Sequence, residues 1–160
     1  MPVIELTTRI VAPIDRVFDL ARCIDLHVDS TPGTGERAIA GVTTGLIGLG
    51  DEVTWRARHF GVWQTLTSRI TRFDRPTCFT DVMVRGAFRR LEHQHIFEST
   101  AGGWTVMHDV FIYEAPMGIL GRFADRLFLE RYMENLLLVR NRIIKSVAES
   151  FEWPRYLEPV

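Results

Sequence analysis

Residues 90–98 read RLEHQHIFE, and their character alternates. Side chains at i and i+2 share one face of a β-strand. Arg90, Glu92, Gln94 and Glu98 therefore mark a wet face, broken only by Ile96. Leu91, His93, His95 and Phe97 point the other way, into whatever the sheet covers. Two imidazoles on an inward face admit three chemistries. They can be satisfied polar groups that orient a ligand in an otherwise apolar pocket. They can serve acid–base catalysis, with His93 or His95 oriented by Asp81 or Asp109, since a carboxylate raises an imidazole pKa while burial lowers it. They can also ligate a metal, because His-x-His on one strand face has suitable geometry, with His59 or an aspartate completing the set. The ligand-orienting reading is preferred. Neither a nucleophile motif nor an oxyanion site is visible, and spacing does not select a third metal ligand, so no catalytic residue, metal or cofactor is assigned.

Alternation supplies neighbours for the histidines. Arg56 and Arg58 face water and turn Trp55, Ala57 and His59 inward. Asp81 shares a face with Phe79 and Met83. Over residues 104–113, Val106, Val110 and Ile112 form one set, and Thr105, Met107, Asp109, Phe111 and Tyr113 the other. Alternation alone does not choose between these two.

The elements that position these residues follow from period and turn chemistry. Residues 3–11 alternate as a first strand, and Pro13 then opens a short helix carrying Ile14, Val17, Phe18 and Ala21 at helical spacing. Residues 25–27 continue into a second short helical piece, 30–35 form a loop, and 37–43 a strand. Five more strands are expected at 52–60, 62–73, 78–84, 89–99 and 104–113, joined by short turns as in an antiparallel meander. From Pro116 to about Phe151 the period is helical. Over 129–147 the apolar face comprises Leu129, Tyr132, Met133, Leu136, Leu137, Ile143, Ile144 and Val147. Glu130, Arg131, Glu134, Asn141, Arg142 and Lys145 form its wet face. Leu120, Phe123, Ala124 and Leu127 lie on the opposite side of that wheel, which predicts a break near 128–131. Arg140 is a misfit within the apolar stripe. A buried guanidinium is costly unless paired, so it is expected to pair with Asp109 or Asp81 and to hydrogen-bond His93, His95 or Tyr113.

Other features set limits. The 160 residues suffice for one domain, 1–160, with a sizeable core. The net charge of −1, without runs of like charge, gives no reason to expect nucleic acid as a partner. Cys23 and Cys78 suggest neither a disulfide framework nor a CxxC site and are read as inert. No secretory signal and no apolar run of transmembrane length is visible, so a cytoplasmic protein without stable membrane insertion is expected. Residues 45–50 (GLIGLG) lack phosphate-loop spacing and precede a strand rather than a helix. They are expected to form a mobile loop at a cavity mouth, with Leu46, Ile47 and Leu49 at its tip. Trp153 and Tyr156 are read as local packing.

The order of elements is α+β, and local motifs point further. They include VTWRA at 53–57 with HFG at 59–61, ITRF at 70–73 with Pro76, Phe79 and Asp81, and GAF at 86–88. The strand HQHIF at 93–97, Gly102–Gly103, MHD at 107–109, YEAP at 113–116 and Val139–Arg140 complete them. Over essentially the whole chain this resembles the START/Bet v 1/polyketide-cyclase (SRPBCC) superfamily, in particular an uncharacterised bacterial branch. The resemblance implies a helix-grip fold: a seven-stranded, strongly curved antiparallel sheet around a long C-terminal helix, with two short helices between the first two strands. It favours the Asp109 and Tyr113 set as inward. It also implies an internal cavity for a hydrophobic or aromatic small molecule such as a lipid, a quinone or a polyketide. Trp55, Phe79, Met83, Phe97, Met107, Phe111, Met133 and Leu137 are the expected walls. His59, Asp81, His93, His95, Asp109, Tyr113 and Arg140 are the expected polar contacts. The alternative is a cyclase- or dehydratase-like enzyme using a His–Asp pair. A monomer or homodimer is expected.

Overall fold

The computed structural model describes residues 1–115 and 128–157. In chain order the elements are β1 (Val3–Ile10), α1 (Ile14–Ala21), α2 (Ile24–Asp29), β2 (Arg37–Gly41), β3 (Glu52–His59), β4 (Val62–Asp74) and β5 (Cys78–Arg85). There follow β6 (Arg90–Ser99), β7 (Thr105–Glu114), α3 (Glu130–Glu149) and α4 (Pro154–Leu157). The seven strands form one antiparallel sheet in the order β1-β7-β6-β5-β4-β3-β2. Among the described residues no helix is long and apolar enough to cross a membrane.

The sheet curves because its strands are irregular where it must bend. β4 shifts register against β5 at Thr67/Ser68 and again at Ile70/Arg72, and β2 shifts against β3 at Ala38/Ala40. An extra residue on one strand of a pair bends that strand and increases its twist. Strand ends lie within a residue or two of the expected ones. The largest difference is in β2, which stops at Gly41 because that glycine takes φ 74°, a left-handed turn that a side chain would resist. At the β3–β4 hairpin, Phe60 and Gly61 both take positive φ, the geometry of a tight two-residue turn. This turn holds His59 opposite Val62 and leaves the Phe60 ring against Phe128 and Tyr132, with centroids 5.7 and 4.5 Å away.

The helices seat on the concave face. In α1, Val17, Phe18 and Ala21 are buried, and Phe18 meets the edges of Phe73, Phe79 and Phe97 at 5.2–5.4 Å. α3 runs against β1 and α1. Its regular turns begin at Glu130, within the stretch where the pattern predicts a break; the residues behind that expectation, Leu120, Phe123, Ala124 and Leu127, lie outside the described residues. The short α4 has no counterpart among the expected elements. Trp153 precedes it and Tyr156 lies within it; both pack on the core, with Arg16 stacked over Trp153 and the Tyr156 hydroxyl donating to Asp29 at 2.8 Å.

The apolar interior is divided. One cluster gathers α1, α2, Trp55, Phe79, Phe97 and Met107, and extends to Ile144 and Val147 of α3. A second gathers Ile4, Leu91, Phe111, Tyr113 and Leu137. Along β6 the order is Leu91, His93, His95, Phe97, and along β7 it is Met107, Asp109, Phe111. A polar band thus lies between the two clusters.

Candidate functional site

A cavity of about 450 Å³ opens between the sheet and α3. β3 contributes Trp55, Ala57 and His59 to its wall, β5 contributes Phe79 and Asp81, and β6 and β7 contribute His93, His95 and Phe111. α3 adds Met133, Leu137 and Arg140. Five residues expected at the site do not line the cavity. Phe97 and Met107 are spent on core packing beneath α1, and Met83 lies against the second cluster. Asp109 and Tyr113 are buried behind the wall. The loop at 45–50 differs from its expected form. Ile47 is buried and reaches the cavity, and Arg22 and Ile24 of the α1–α2 corner bond it, through Ile47 N to Arg22 O at 3.2 Å and Ile24 N to Gly45 O at 2.9 Å. Leu46 and Leu49 stay outside the cavity wall. Cys23, a buried free thiol, also lines it, and burial pushes its pKa up.

The polar band is a closed hydrogen-bonded cluster. Register places His93 opposite Asp81 and Phe111, and His95 opposite Phe79 and Asp109. The bonds run diagonally across these pairs. His93 Nε2 donates to Asp109 Oδ1 at 2.9 Å, and His95 Nε2 to Asp81 Oδ1 at 3.2 Å. His95 Nδ1 lies 3.0 Å from Asp109 Oδ1, off the line of a good hydrogen bond. The two rings are 3.8 Å apart, and the His95 ring stacks on Phe79 at 4.2 Å. From α3, Asn141 Nδ2 donates to Asp109 Oδ2 at 2.6 Å, and Arg140 Nη1 lies 3.6 Å from Asp109 Oδ1. Asp109 is 1% exposed, His95 2%, Asn141 2%, Arg140 5% and His93 7%, so these groups have exchanged water for one another.

Arg140 is paired, though not as expected in detail. Its carboxylate partner is Asp109, and its hydrogen bonds go to the Ala21 carbonyl at 3.1 Å and Asn141 Oδ1 at 3.2 Å rather than to the histidines. The guanidinium therefore ties α3 to the end of α1 as well as to the sheet. A hydrogen bond from a charged group contributes about 1.5–3 kcal/mol. Arg140→Met is accordingly expected to lower unfolding free energy by about 2 kcal/mol in urea titrations; a neutral result would show that the head group is not held inside.

Electrostatics follow from burial and partners. Burial works to raise both Asp81 and Asp109, but bonds and charge from the histidines overcome it; Asp81 is held below, and Asp109 well below, its ordinary range. Burial and the neighbouring His95 push His93 down to about 4 against the pull of Asp109, so near neutral pH that ring is uncharged.

No protein-family model matches the sequence, and no curated protein matches it. Solved structures do match in shape. TTHA0849 from Thermus thermophilus superposes with a TM-score of 0.71 at 18% identity, over 92% of this chain and 99% of that one. The Zhui aromatase/cyclase from Streptomyces gives 0.68 at 18% identity, over 92% and 93%. Ginseng major latex-like protein 151 from Panax ginseng gives 0.67 at 17% identity, over 93% and 98%. This chain has the helix-grip fold. Its architecture is that of the Bet v 1-like and START proteins, whose gripped helix here is α3.

Sequence reasoning placed His59 at the site but missed His27, Glu36 and Tyr132, the polar groups that join it in this helix-grip cavity. His27 Nε2 lies 3.3 Å from Glu36 Oε1, the His27 ring stacks on Trp55 at 4.2 Å, and His59 Nδ1 is 2.8 Å from the Tyr132 hydroxyl. All five residues line the cavity. Burial would raise Glu36, but the charge and hydrogen bond of His27 hold it below its ordinary value. Burial lowers His59, and raises Tyr132 together with the charge of Glu36. His27 and Glu36 sit on a six-residue helix and in a loop, where no periodicity marks a facing. Asn141, assigned to the wet face of α3, is instead buried and bonded to Asp109. The signal available was its place beside Arg140 and between Leu137 and Ile144.

Proposed function

We propose that this protein binds a hydrophobic or aromatic small molecule, of lipid, quinone or polyketide type, between the sheet and α3. The ligand's polar end meets Asp81, His93, His95 and Arg140, and Trp55, Phe79, Phe111, Met133 and Leu137 pack on its body. The observation that carries this reading is an apolar cavity of about 450 Å³ with a few convergent polar groups, the usual make-up of a small-molecule site. The group formed by His27, Glu36, His59 and Tyr132 gives the cavity further polar contacts, which suits a ligand with oxygen atoms at more than one position. The protein acts in the cytoplasm, as a monomer or homodimer, without nucleic acid or stable membrane insertion.

A cyclase- or dehydratase-like enzyme is the second reading, and the His93–Asp109 contact at 2.9 Å favours it. It asks more of the site. A general base works best with a pKa near the operating pH, and His93, at about 4, is a weak one.

Native mass spectrometry of protein purified without denaturation is expected to show a co-purifying organic mass. With stripped protein, 1-anilinonaphthalene-8-sulfonate is expected to bind saturably at one site. Ala57→Trp, which puts an indole into the space, should weaken that binding at least tenfold with an unchanged far-ultraviolet circular dichroism spectrum. Equal affinity in both proteins would place the probe outside the cavity and count against the reading.

A further inference from the structure

Three side chains on the cavity wall have the composition of a cation site, and two of them stand close to its spacing. His95 Nε2 and Asp81 Oδ1 are 3.2 Å apart. Ligand atoms arranged tetrahedrally at bonds of about 2.0–2.2 Å stand about 3.3–3.6 Å from one another. His93 completes the set, with one ligating atom from each residue lying within 4.8 Å of the others. All three residues line the cavity, so an ion could enter and keep an open face.

Asp109 is placed to support such a site. Imidazoles that bind metal generally donate their other ring N–H to a carboxylate, which fixes tautomer and orientation. Asp109 Oδ1 lies 2.9 Å from His93 Nε2 and 3.0 Å from His95 Nδ1. His93 Nε2 is bonded to Asp109 and His95 Nδ1 stands beside the same oxygen, off the line of a hydrogen bond, so His93 Nδ1 and His95 Nε2 remain for an ion. His93 Nδ1 makes no other hydrogen bond among the described residues. Asp109 is itself fixed by Asn141 at 2.6 Å. Charge agrees with this arrangement. Two carboxylates face one guanidinium, and Arg140 is spent on Asp109 and the Ala21 carbonyl. One negative charge is left, on the side of the cluster where Asp81 lies.

We propose that Asp81, His93 and His95 bind a divalent transition-metal ion of the zinc class, and that Asp109 orients both imidazoles. The ion takes the place of the proton between His95 Nε2 and Asp81, and His95 then carries its proton on Nδ1, toward Asp109. Two imidazoles and one carboxylate suit zinc or cobalt better than magnesium or calcium, which prefer oxygen ligands throughout. Three protein ligands leave a coordination position facing the cavity, where a carbonyl or hydroxyl oxygen can bind. The proposal does not rest on the small-molecule reading, and an absent metal would leave that reading standing.

Chelator-treated protein titrated with Co²⁺ is expected to develop the visible absorption of a four- or five-coordinate ion. The signal should saturate at one equivalent and be displaced by one equivalent of Zn²⁺. In long-range ¹H–¹⁵N spectra, Zn²⁺ should move the ring nitrogens of two of the five histidines, with the same two moving in His108→Gln. Asp81→Asn should weaken Zn²⁺ at least as much as loss of a carboxylate behind a ligand does, about 10–100-fold. No absorption at one equivalent, or shifts confined to His27, His59 or His108, would overturn the proposal. Because the spectra are read on the wild-type protein, the test stands even if Asp81→Asn fails to fold.

Discussion

Replacing Asp109 with alanine is expected to lower the free energy of unfolding by about 3–5 kcal/mol, the range for removing one partner from a buried ion pair. The carboxylate collects His93 at 2.9 Å, Asn141 at 2.6 Å, His95 at 3.0 Å and Arg140 at 3.6 Å. Removing it leaves His93 and Asn141 without this acceptor, and the largely buried Arg140 guanidinium without its carboxylate. Against a typical domain stability of about 5–15 kcal/mol, this is a large fraction of the whole. Asp109→Asn keeps one acceptor oxygen and should lose less. Urea unfolding at pH 7.5, with the slope unchanged between variants, reads the difference directly. A loss below about 1 kcal/mol for alanine, within the range of surface substitutions and exposed pairs, would mean that this carboxylate does not hold the cluster together.

Acidification should destabilise the metal-free protein well above the range where carboxylates titrate. His93 sits at about 4 when folded, against an ordinary 6.5. Between these values the unfolded chain takes up a proton that the folded ring resists, so stability falls as pH falls. The contribution is fully present above pH 6.5 and is lost progressively toward pH 4, about 3 kcal/mol in all. His59, lowered by burial, adds in the same direction. Asp81 and Asp109, held below their ordinary values, extend the loss at still lower pH. Urea midpoints measured with a chelator from pH 7.5 to 4.5 should trace this limb, and His93→Gln should flatten most of it. A wild-type curve that is level over that interval would refute the assignment.

The facing of β3 and β6 is legible in the sequence because charged residues mark their wet sides, and the buried rows Val53–Trp55–Ala57 and Leu91–His93–His95–Phe97 follow the alternation. β7 is not legible from alternation, since both of its faces are largely apolar. The structure buries Thr105, Met107, Asp109, Phe111 and Tyr113. The demand of Arg140 for an anion also points inside, toward Asp109 or Asp81. Asn141 is misplaced because a helical wheel with one apolar stripe assumes one surface to cover. α3 covers two, the cavity and β1, where Asn141 Nδ2 also lies 3.4 Å from Thr8 Oγ1. Its buried arc is therefore wide enough to take in adjacent positions. The contacts of His27 with Glu36 and Trp55 depend on how a short helix and a loop fold over β3, which local pattern does not encode.

The polar band between the two apolar clusters has a thermodynamic consequence of its own. An apolar molecule lodged beside it would touch both halves of the interior at once and act as a missing piece of the core. Occupancy would then register as heat resistance, rising as the logarithm of ligand concentration over Kd. The melting temperature of this protein thus becomes an assay that needs neither a chromophore nor a known reaction.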